Sequence, residues 1–143
     1  MARIAVVFGT RPEAIKMAPV INQLKANTQW ETKVIVTGQH REMLDQMLQV
    51  FHIVPDYDLN IMRPGQSLAD ITIAVLRGMD QFFCQWRPDL LLVHGDPTSA
   101  LAAALAGFYQ QIPVGHVEAG LWTGNLGHPF PEEANRKLID GIA

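Results

Sequence analysis

The fold class is indicated first by residues 4–13, which read Ile-Ala-Val-Val-Phe-Gly-Thr-Arg-Pro-Glu. Ile4–Phe8 is an unbroken apolar run, as in strands that are buried on both faces of a parallel sheet. Gly9–Pro12 then turns the chain, and apolar residues at helical spacing predict a helix from about Glu13 to Asn27. A buried strand, a glycine turn and an amphipathic helix form the repeating unit of doubly wound α/β sheets.

The same unit recurs along the rest of the chain. We expect further strands at Lys33–Thr37, Leu90–His94 and Pro113–Glu118, and a short edge strand at Tyr57–Ile61. Helical spacing of apolar residues predicts helices over residues 43–51, 67–86 and 97–110, and a last helix from about residue 132. This alternation predicts one Rossmann-like domain, residues 1–143, built on a doubly wound parallel sheet.

Composition limits the classes of protein to be considered. The chain has 143 residues, 48% of them hydrophobic, which suffices for one domain with a real core. Its formal charge of −3 gives no general reason to expect nucleic acid as a partner. Without a signal-peptide pattern or a continuous apolar run of about 20 residues, we expect a soluble, cytoplasmic protein that does not insert into a membrane. Its single cysteine, Cys84, is expected to be a packed thiol because its neighbours are apolar.

Polar residues follow the predicted strands, where open α/β sheets bind their ligands. These segments are Gly9-Thr10-Arg11, Gly38-Gln39-His40, Gly95-Asp96 and Glu118-Ala119-Gly120. Gly9 would allow close approach of the backbone to a ligand, and the following helix start would offer unpaired N–H groups to an anion. Arg11 and Lys16 would add positive charge there. Neither G-x-G-x-x-G nor a P-loop signature is present, so a nicotinamide dinucleotide or a P-loop triphosphate is disfavoured, and we expect no cofactor.

Each candidate residue also has a purely structural interpretation. Asp96 before Pro97 is typical of a helix N-cap followed by the first helical residue. Glu132 and Glu133 would favour the dipole of the last helix. Histidines in apolar strands, His94 and His116, are more often hydrogen-bonded core residues than metal ligands, and we expect no metal site.

Convergence favours a functional interpretation. Glu118 ends an apolar strand, where an inward carboxylate needs a partner. Carboxylates that meet at one sheet edge would push each other's pKa values apart, so that one group can act as an acid and another as a base. With nearby cations, such a site suits removal and return of a proton at a carbon centre.

The sequence resembles the non-hydrolysing UDP-N-acetylglucosamine 2-epimerases of bacteria. The matching segments, in the order of that family, are residues 9–16, 37–41, 93–96, 116–121 and 131–136. The resemblance implies the N-terminal half of a glycosyltransferase-B-like fold, with the substrate between two domains and no cofactor. It also implies exchange between UDP-N-acetylglucosamine and UDP-N-acetylmannosamine, by elimination and re-addition of UDP with proton exchange at C2.

Residue roles follow from the same motifs. Carried over by resemblance, the acid and base carboxylates are Asp96, Glu118 and Glu132, and the substrate-binding residues are Arg11, Lys16, Gln39, His40 and Arg136. The family is usually dimeric, and its second domain contributes nucleotide contacts and another catalytic histidine. We therefore expect the 143 residues to fold but to have little activity alone.

Two departures and three alternatives accompany this interpretation. Pro97 stands where the family commonly has Thr, and Trp122 where it usually has Arg.

A hydrolysing epimerase and a retaining glycosyltransferase are alternative enzymes. A non-catalytic folding or dimerisation module is the third alternative, with the apolar stripe of the 67–86 helix as its interface or, more simply, as part of the core: Ile71, Ala74, Val75, Phe82 and Phe83.

Overall fold

The computed structural model describes residues 1–38 and 41–143, and over these residues strands and helices alternate along the chain. The strands are β1 (Ala2–Phe8), β2 (Trp30–Val36), β3 (Tyr57–Asp58), β4 (Leu90–His94) and β5 (Val114–Val117). The helices are α1 (Arg11–Ala26), α2 (Arg41–Val50), α3 (Leu68–Gln85), α4 (Thr98–Tyr109) and α5 (Glu132–Ile142).

The strands form one parallel sheet in the order β3-β2-β1-β4-β5. The chain starts at β1 in the middle, winds outward to β3, and returns through α3 to β4 on the other side of β1. This order confirms the predicted Rossmann-like, doubly wound sheet. The direction of winding reverses between β1 and β4, and ligands of such sheets bind in the crevice at that point.

The two faces of the sheet bury separate cores, because successive side chains of a strand point to opposite faces. Ile4, Val6 and Phe8 of β1 pack with α1 and α2. Ala5 and Val7, from the same strand, pack with α3, α4 and Ile139 of α5. The continuous apolar run of β1 is thus explained by burial on both sides.

The apolar stripe of α3 belongs to the second core. Four of its residues are buried, and Ala74 packs against the same cluster. This confirms that the stripe packs in the core rather than forming an interface. The expected N-cap is also confirmed: Ser67 Oγ accepts a hydrogen bond from the backbone N–H of Asp70, whose carboxylate accepts one from the N–H of Ser67.

Three expectations about local structure were wrong. Strand β2 begins at Trp30, before Lys33, because its first residues pair with the start of β1. Strand β3 is the expected edge strand but ends at Asp58. Cys84 is exposed on α3, since the apolar residues beside it in sequence point elsewhere on the helix. Within the described ranges, no helix is long and apolar enough to cross a membrane.

Candidate active site

The candidate site lies at the carboxyl ends of β1, β4 and β5. Helix α1 follows β1 on one face of the sheet, and α4 follows β4 on the other. Residues after both strands therefore face the crevice at which the winding reverses. The loop after β5 and the start of α5 complete the site through contacts with Asp96 and Glu118.

Glu118 lies directly after β5 and contacts two basic side chains. Its carboxylate oxygens accept hydrogen bonds of 2.9 and 2.7 Å from Lys16 Nζ of α1. Its Oε2 also lies 2.7 Å from Nε2 of His94, the last residue of β4, although this contact is not aligned as a hydrogen bond. Lys16 is the main cause of the lowered pKa of Glu118, and burial lowers the pKa of His94. The carboxylate is therefore ionised at neutral pH.

The backbone of Glu118 is in the left-handed region, with φ at 62°. Few residues other than glycine adopt this conformation, and it persists where surrounding contacts impose it. Here the carbonyl oxygen of Glu118 accepts a hydrogen bond from Nη1 of Arg136. The strained turn and this hydrogen bond together define how the chain leaves β5.

Arg136 links the ends of β4 and β5 through its two guanidinium nitrogens. While Nη1 binds the carbonyl of Glu118, Nη2 lies 2.8 Å from Oδ2 of Asp96. The neighbouring Asn135 donates a 2.9 Å hydrogen bond to the carbonyl oxygen of Asp96. Helix α5 thus holds Asp96 and Glu118 beside each other, although they lie on separate loops.

Asp96 and Glu132 line the same cleft, which has a volume of about 300 Å³. Its other lining residues are Thr10, Pro12, Leu68, Pro97, Thr98 and Pro131. The structure therefore brings two of the predicted carboxylates to one opening, and Arg136 connects the third to them. Such an arrangement can exchange protons with a ligand in the cleft while cations neutralise a leaving anion.

The start of α1 differs from the expected anion site. The N–H groups of Gly9 and Thr10 donate hydrogen bonds of 3.0 and 2.8 Å to Oε2 of Glu13, so they are not free for a ligand. A Cβ on Gly9 would stand 1.8 Å from Oγ1 of Thr37. The glycine is therefore required by a neighbouring side chain of this protein, and the approach of a ligand to its backbone stays a prediction.

One expectation about a carboxylate was wrong. Asp96 is not the N-cap of α4, because Pro97 takes that position and Asp96 pairs with Arg136. The pKa of Glu118 is lowered by Lys16 and His94, and the predicted separation of pKa values within the trio stays a prediction. Asp96 also makes a small contribution to the raised pKa of Glu13, which burial brings to about 7.

Three other residues predicted to bind substrate are Arg11, Gln39 and His40. Arg11 is exposed at the first residue of α1, and it has no ion pair within the described part of the chain. Gln39 and His40 lie outside the described residues, so their predicted role stays a prediction. Over residues 1–38 and 41–143, no group of three or more histidine, cysteine or acidic side chains could hold a metal ion.

Sequence reasoning missed two residues of this site. His94 was interpreted as a core histidine; it is buried, but it also contacts Glu118. Asp140 was not considered, yet its carboxylate contacts His116 and the loop after β5. The position of His94 at the end of β4, directly before Gly95-Asp96, was the available signal, whereas no local pattern marks Asp140.

Comparison with known proteins identifies the family. The sequence profile described as UDP-N-acetylglucosamine 2-epimerase matches residues 22–143. The UDP-N-acetylglucosamine 2-epimerase of Escherichia coli is 60% identical over 141 residues, which cover 99% of this chain and 38% of that protein. The present chain thus spans well under half the length of this relative.

Solved structures agree in fold. The crystal structure of UDP-GlcNAc 2-epimerase from Neisseria meningitidis, bound to UDP-GlcNAc, has a TM-score of 0.93 and 55% identity; the match covers 99% of this chain and 38% of that one. MurG of Acinetobacter baumannii matches with a TM-score of 0.68 at 18% identity, over 99% of this chain and 39% of MurG. That likeness concerns only the glycosyltransferase-B-type fold. From the profile match and the sequence identities, the chain belongs to the UDP-N-acetylglucosamine 2-epimerase family.

Proposed function

We propose that residues 1–143 act as the N-terminal domain of a two-domain, non-hydrolysing UDP-N-acetylglucosamine 2-epimerase. The observation that carries this proposal is the ionised Glu118, in contact with Lys16 and His94 where three strands end. The names of the Escherichia coli and Neisseria meningitidis relatives, and the UDP-GlcNAc bound in the latter, support a UDP-sugar as substrate.

The proposed reaction is a reversible elimination. A base removes the proton at C2 while the bond between C1 and the UDP oxygen breaks, which leaves 2-acetamidoglucal and UDP. UDP then adds back at C1, and an acid returns a proton to the other face of C2. Asp96, Glu118 and Glu132 are the proposed acid and base groups. The lowered pKa of Glu118 supports a group that begins the cycle without a proton.

Cations would stabilise the leaving diphosphate and hold the carboxylates. We assign contact with the diphosphate or sugar to Arg11 and Lys16, and further substrate contacts to Gln39 and His40. Arg136 would hold Asp96, as its 2.8 Å ion pair supports. The complete enzyme would add a second nucleotide-binding domain, form a homodimer and work in the cytoplasm.

Proton exchange at C2 tests this function directly. We would incubate UDP-N-acetylglucosamine in D2O with the 143-residue chain, and separately with a hybrid in which the chain replaces the matching part of the Escherichia coli relative. NMR of the sugar reports deuterium at C2 and the mannosamine epimer. We expect little exchange with the chain alone and clear exchange with the hybrid.

Variants and product analysis make the test specific. Asp96→Asn, Glu118→Gln and Glu132→Gln should each slow exchange in the hybrid by about 10²-fold or more. Asp80→Asn is the matched control, because Asp80 lies on α3 and binds Gln110 away from the site. An inactive hybrid beside an active Escherichia coli enzyme would contradict the proposal. Release of UDP and free N-acetylmannosamine, or transfer of the sugar to an acceptor, would favour the hydrolysing epimerase or the glycosyltransferase.

A further inference from the structure

Asp140, near the end of α5, binds three groups of the β5 end and its loop. Its Oδ1 contacts Nδ1 of His116 on β5. Its Oδ2 accepts a 3.1 Å hydrogen bond from the backbone N–H of Gly120 and a 2.8 Å bond from the indole Nε1 of Trp122. Trp122 is about half exposed, so the carboxylate ties a surface side chain to the helix.

His116 extends these contacts to β4. Its Nε2 lies 2.6 Å from the carbonyl oxygen of Gly95, the residue before Asp96. Its side chain is only 2% exposed, so water cannot easily replace either partner. Because a carbonyl oxygen and a carboxylate oxygen both accept, the ring donates from Nε2 to Gly95 and from Nδ1 to Asp140. The imidazole therefore bridges α5 and the loop that carries Asp96.

The contacts of Asp140 and His116 reach the same two loops as the contacts of Arg136. Arg136 and Asp140 lie four residues apart on α5, and side chains at this spacing share one face of a helix. Arg136 holds the side chain of Asp96 and the carbonyl of Glu118. Asp140 holds the backbone beyond Glu118 at Gly120 and, through His116, the backbone before Asp96. One helix face thus fixes both loops at two points each.

We propose that His116 and Asp140 are positioning residues, which set the geometry of Asp96 and Glu118 through the backbone at Gly95 and Gly120. The inference rests on the proposed function, because positioning has a catalytic consequence only if these carboxylates react. Neither residue lines the cleft that Asp96 and Glu132 share. Their loss should therefore lower the rate of the chemical step more than it weakens substrate binding.

The linkage can be measured in the 143-residue chain without any activity. In amide NMR spectra, Asp140→Asn should shift the indole N–H of Trp122 and also the backbone N–H of Gly95 and Asp96. His116→Gln breaks the bridge because its amide cannot reach both partners, and in that background Asp140→Asn should no longer affect Asp96. Asp80→Asn should leave all these signals unchanged. Unchanged Gly95 and Asp96 signals in folded Asp140→Asn would overturn the proposal.

The hybrid enzyme tests the catalytic consequence. Asp140→Asn and His116→Gln should each lower kcat about tenfold or more, because small displacements of reacting groups are costly, and should change KM by less than about twofold. The double variant should be no slower than the slower single variant, since the two residues act as one unit. Trp122→Phe, which loses only the surface hydrogen bond, should have a smaller effect than Asp140→Asn.

The outcomes separate this inference from the proposed function. An active hybrid whose kcat is unaffected by Asp140→Asn and His116→Gln would overturn positioning and leave the epimerase assignment intact. If Asp80→Asn lowered kcat and thermal stability as much as Asp140→Asn or His116→Gln does, positioning would also be overturned. Loss of any hydrogen bond would then have the same effect. If the unmodified hybrid shows no exchange, the proposed function fails, and the NMR experiment alone decides whether the bridge exists.

Discussion

Glu13 is a buried carboxyl group that closes the turn after β1. Its Oε2 accepts hydrogen bonds from the N–H groups of Gly9 and Thr10 and from the hydroxyl of Thr10. Its Oε1 has no hydrogen-bond partner among the described residues. Burial is the largest cause of its raised pKa, about 7 against an ordinary value of 4.5, and these hydrogen bonds only partly oppose it.

Glu13 should make the stability of the fold depend on pH. Between about pH 4.5 and 7 the folded chain binds a proton at Glu13 that the unfolded chain has released, so the free energy of unfolding falls as pH rises through this range. The free energy of unfolding falls by about 3 kcal/mol in all, and this contribution does not change further at higher pH. We expect Glu13→Gln to abolish this part of the pH dependence in urea unfolding at pH 5 and pH 8.

Glu42→Gln, at an exposed position of α2, controls for the change in net charge. Other carboxylates, such as Glu118, contribute the opposite slope because their pKa values are lowered. The pH dependence of the free energy of unfolding is therefore compared between each variant and the unmodified chain. Equal pH slopes for Glu13→Gln and the unmodified chain would contradict a raised pKa for Glu13.

At the scale of the element, α3 illustrates how local chemistry defines a helix start. Ser67 and Asp70 satisfy each other's backbone N–H groups at the first turn. Trp86 follows the last helical residue, and its N–H bonds to the carbonyl of Phe82. Pro88 then prevents continuation. These signals are local in sequence, which is why the bounds of α3 were predictable to within a residue or two.

Removal of the Ser67 hydroxyl should destabilise the chain through α3 alone. We expect Ser67→Ala to lower the free energy of unfolding by about 1 kcal/mol, because one backbone N–H at the helix start loses its acceptor. Ser67→Gly should cost only a few tenths of that amount. Urea unfolding at constant pH measures both, and a loss for Ser67→Ala no larger than for Ser67→Gly would show that the hydroxyl does not cap α3.

At the scale of the whole molecule, two cores lie on opposite faces of one sheet. The larger core contains an aromatic group in which Phe82 lies between Tyr57, Phe83 and Trp86. Phe82 is 3% exposed. The apolar stripe of α3 therefore stabilises the chain itself, and a subunit interface would have to use other residues.

Phe82→Ala should destabilise the chain by about 3–5 kcal/mol, the usual cost of removing a buried aromatic side chain. Because the cavity lies inside one chain, the cost should not depend on protein concentration. Phe108→Ala is the matched control, since Phe108 is 51% exposed on α4. Urea unfolding at several protein concentrations tests this, and a cost of Phe82→Ala that changes with protein concentration would indicate that the stripe serves an interface.

The strands were predictable because burial on both faces demands continuous apolar runs. Ile4–Phe8 and Leu90–His94 are such runs, and their positions were correct or nearly so. The start of β2 was missed because Glu31 and Thr32 interrupt the apolar run, and residues 30–32 pair with the first residues of β1. Exposure of Cys84 was missed for a related reason, since the direction of a helical side chain depends on which face packs on the sheet.

Part of the site was predictable in the same way. Parallel strands end at one edge, so Asp96 and Glu118 were expected near each other. Their actual contacts were not expected, because Arg136 reaches Asp96 across 40 positions of sequence and Lys16 reaches Glu118 across 102. Such pairs form only when separate elements pack, and nothing in either local sequence identifies its partner.

By itself, the sequence determined the parallel α/β sheet, the helix starts and the polar residues that follow each strand. These properties depend on burial and on hydrogen bonds within a few residues, so the local pattern is sufficient. Only the tertiary structure decided that the carboxyl group of Glu13 is buried with a raised pKa, that Glu118 is ionised beside Lys16, and that α5 holds both carboxylate loops. Those outcomes depend on distances and desolvation between distant segments, which exist only after the sheet and helices have packed.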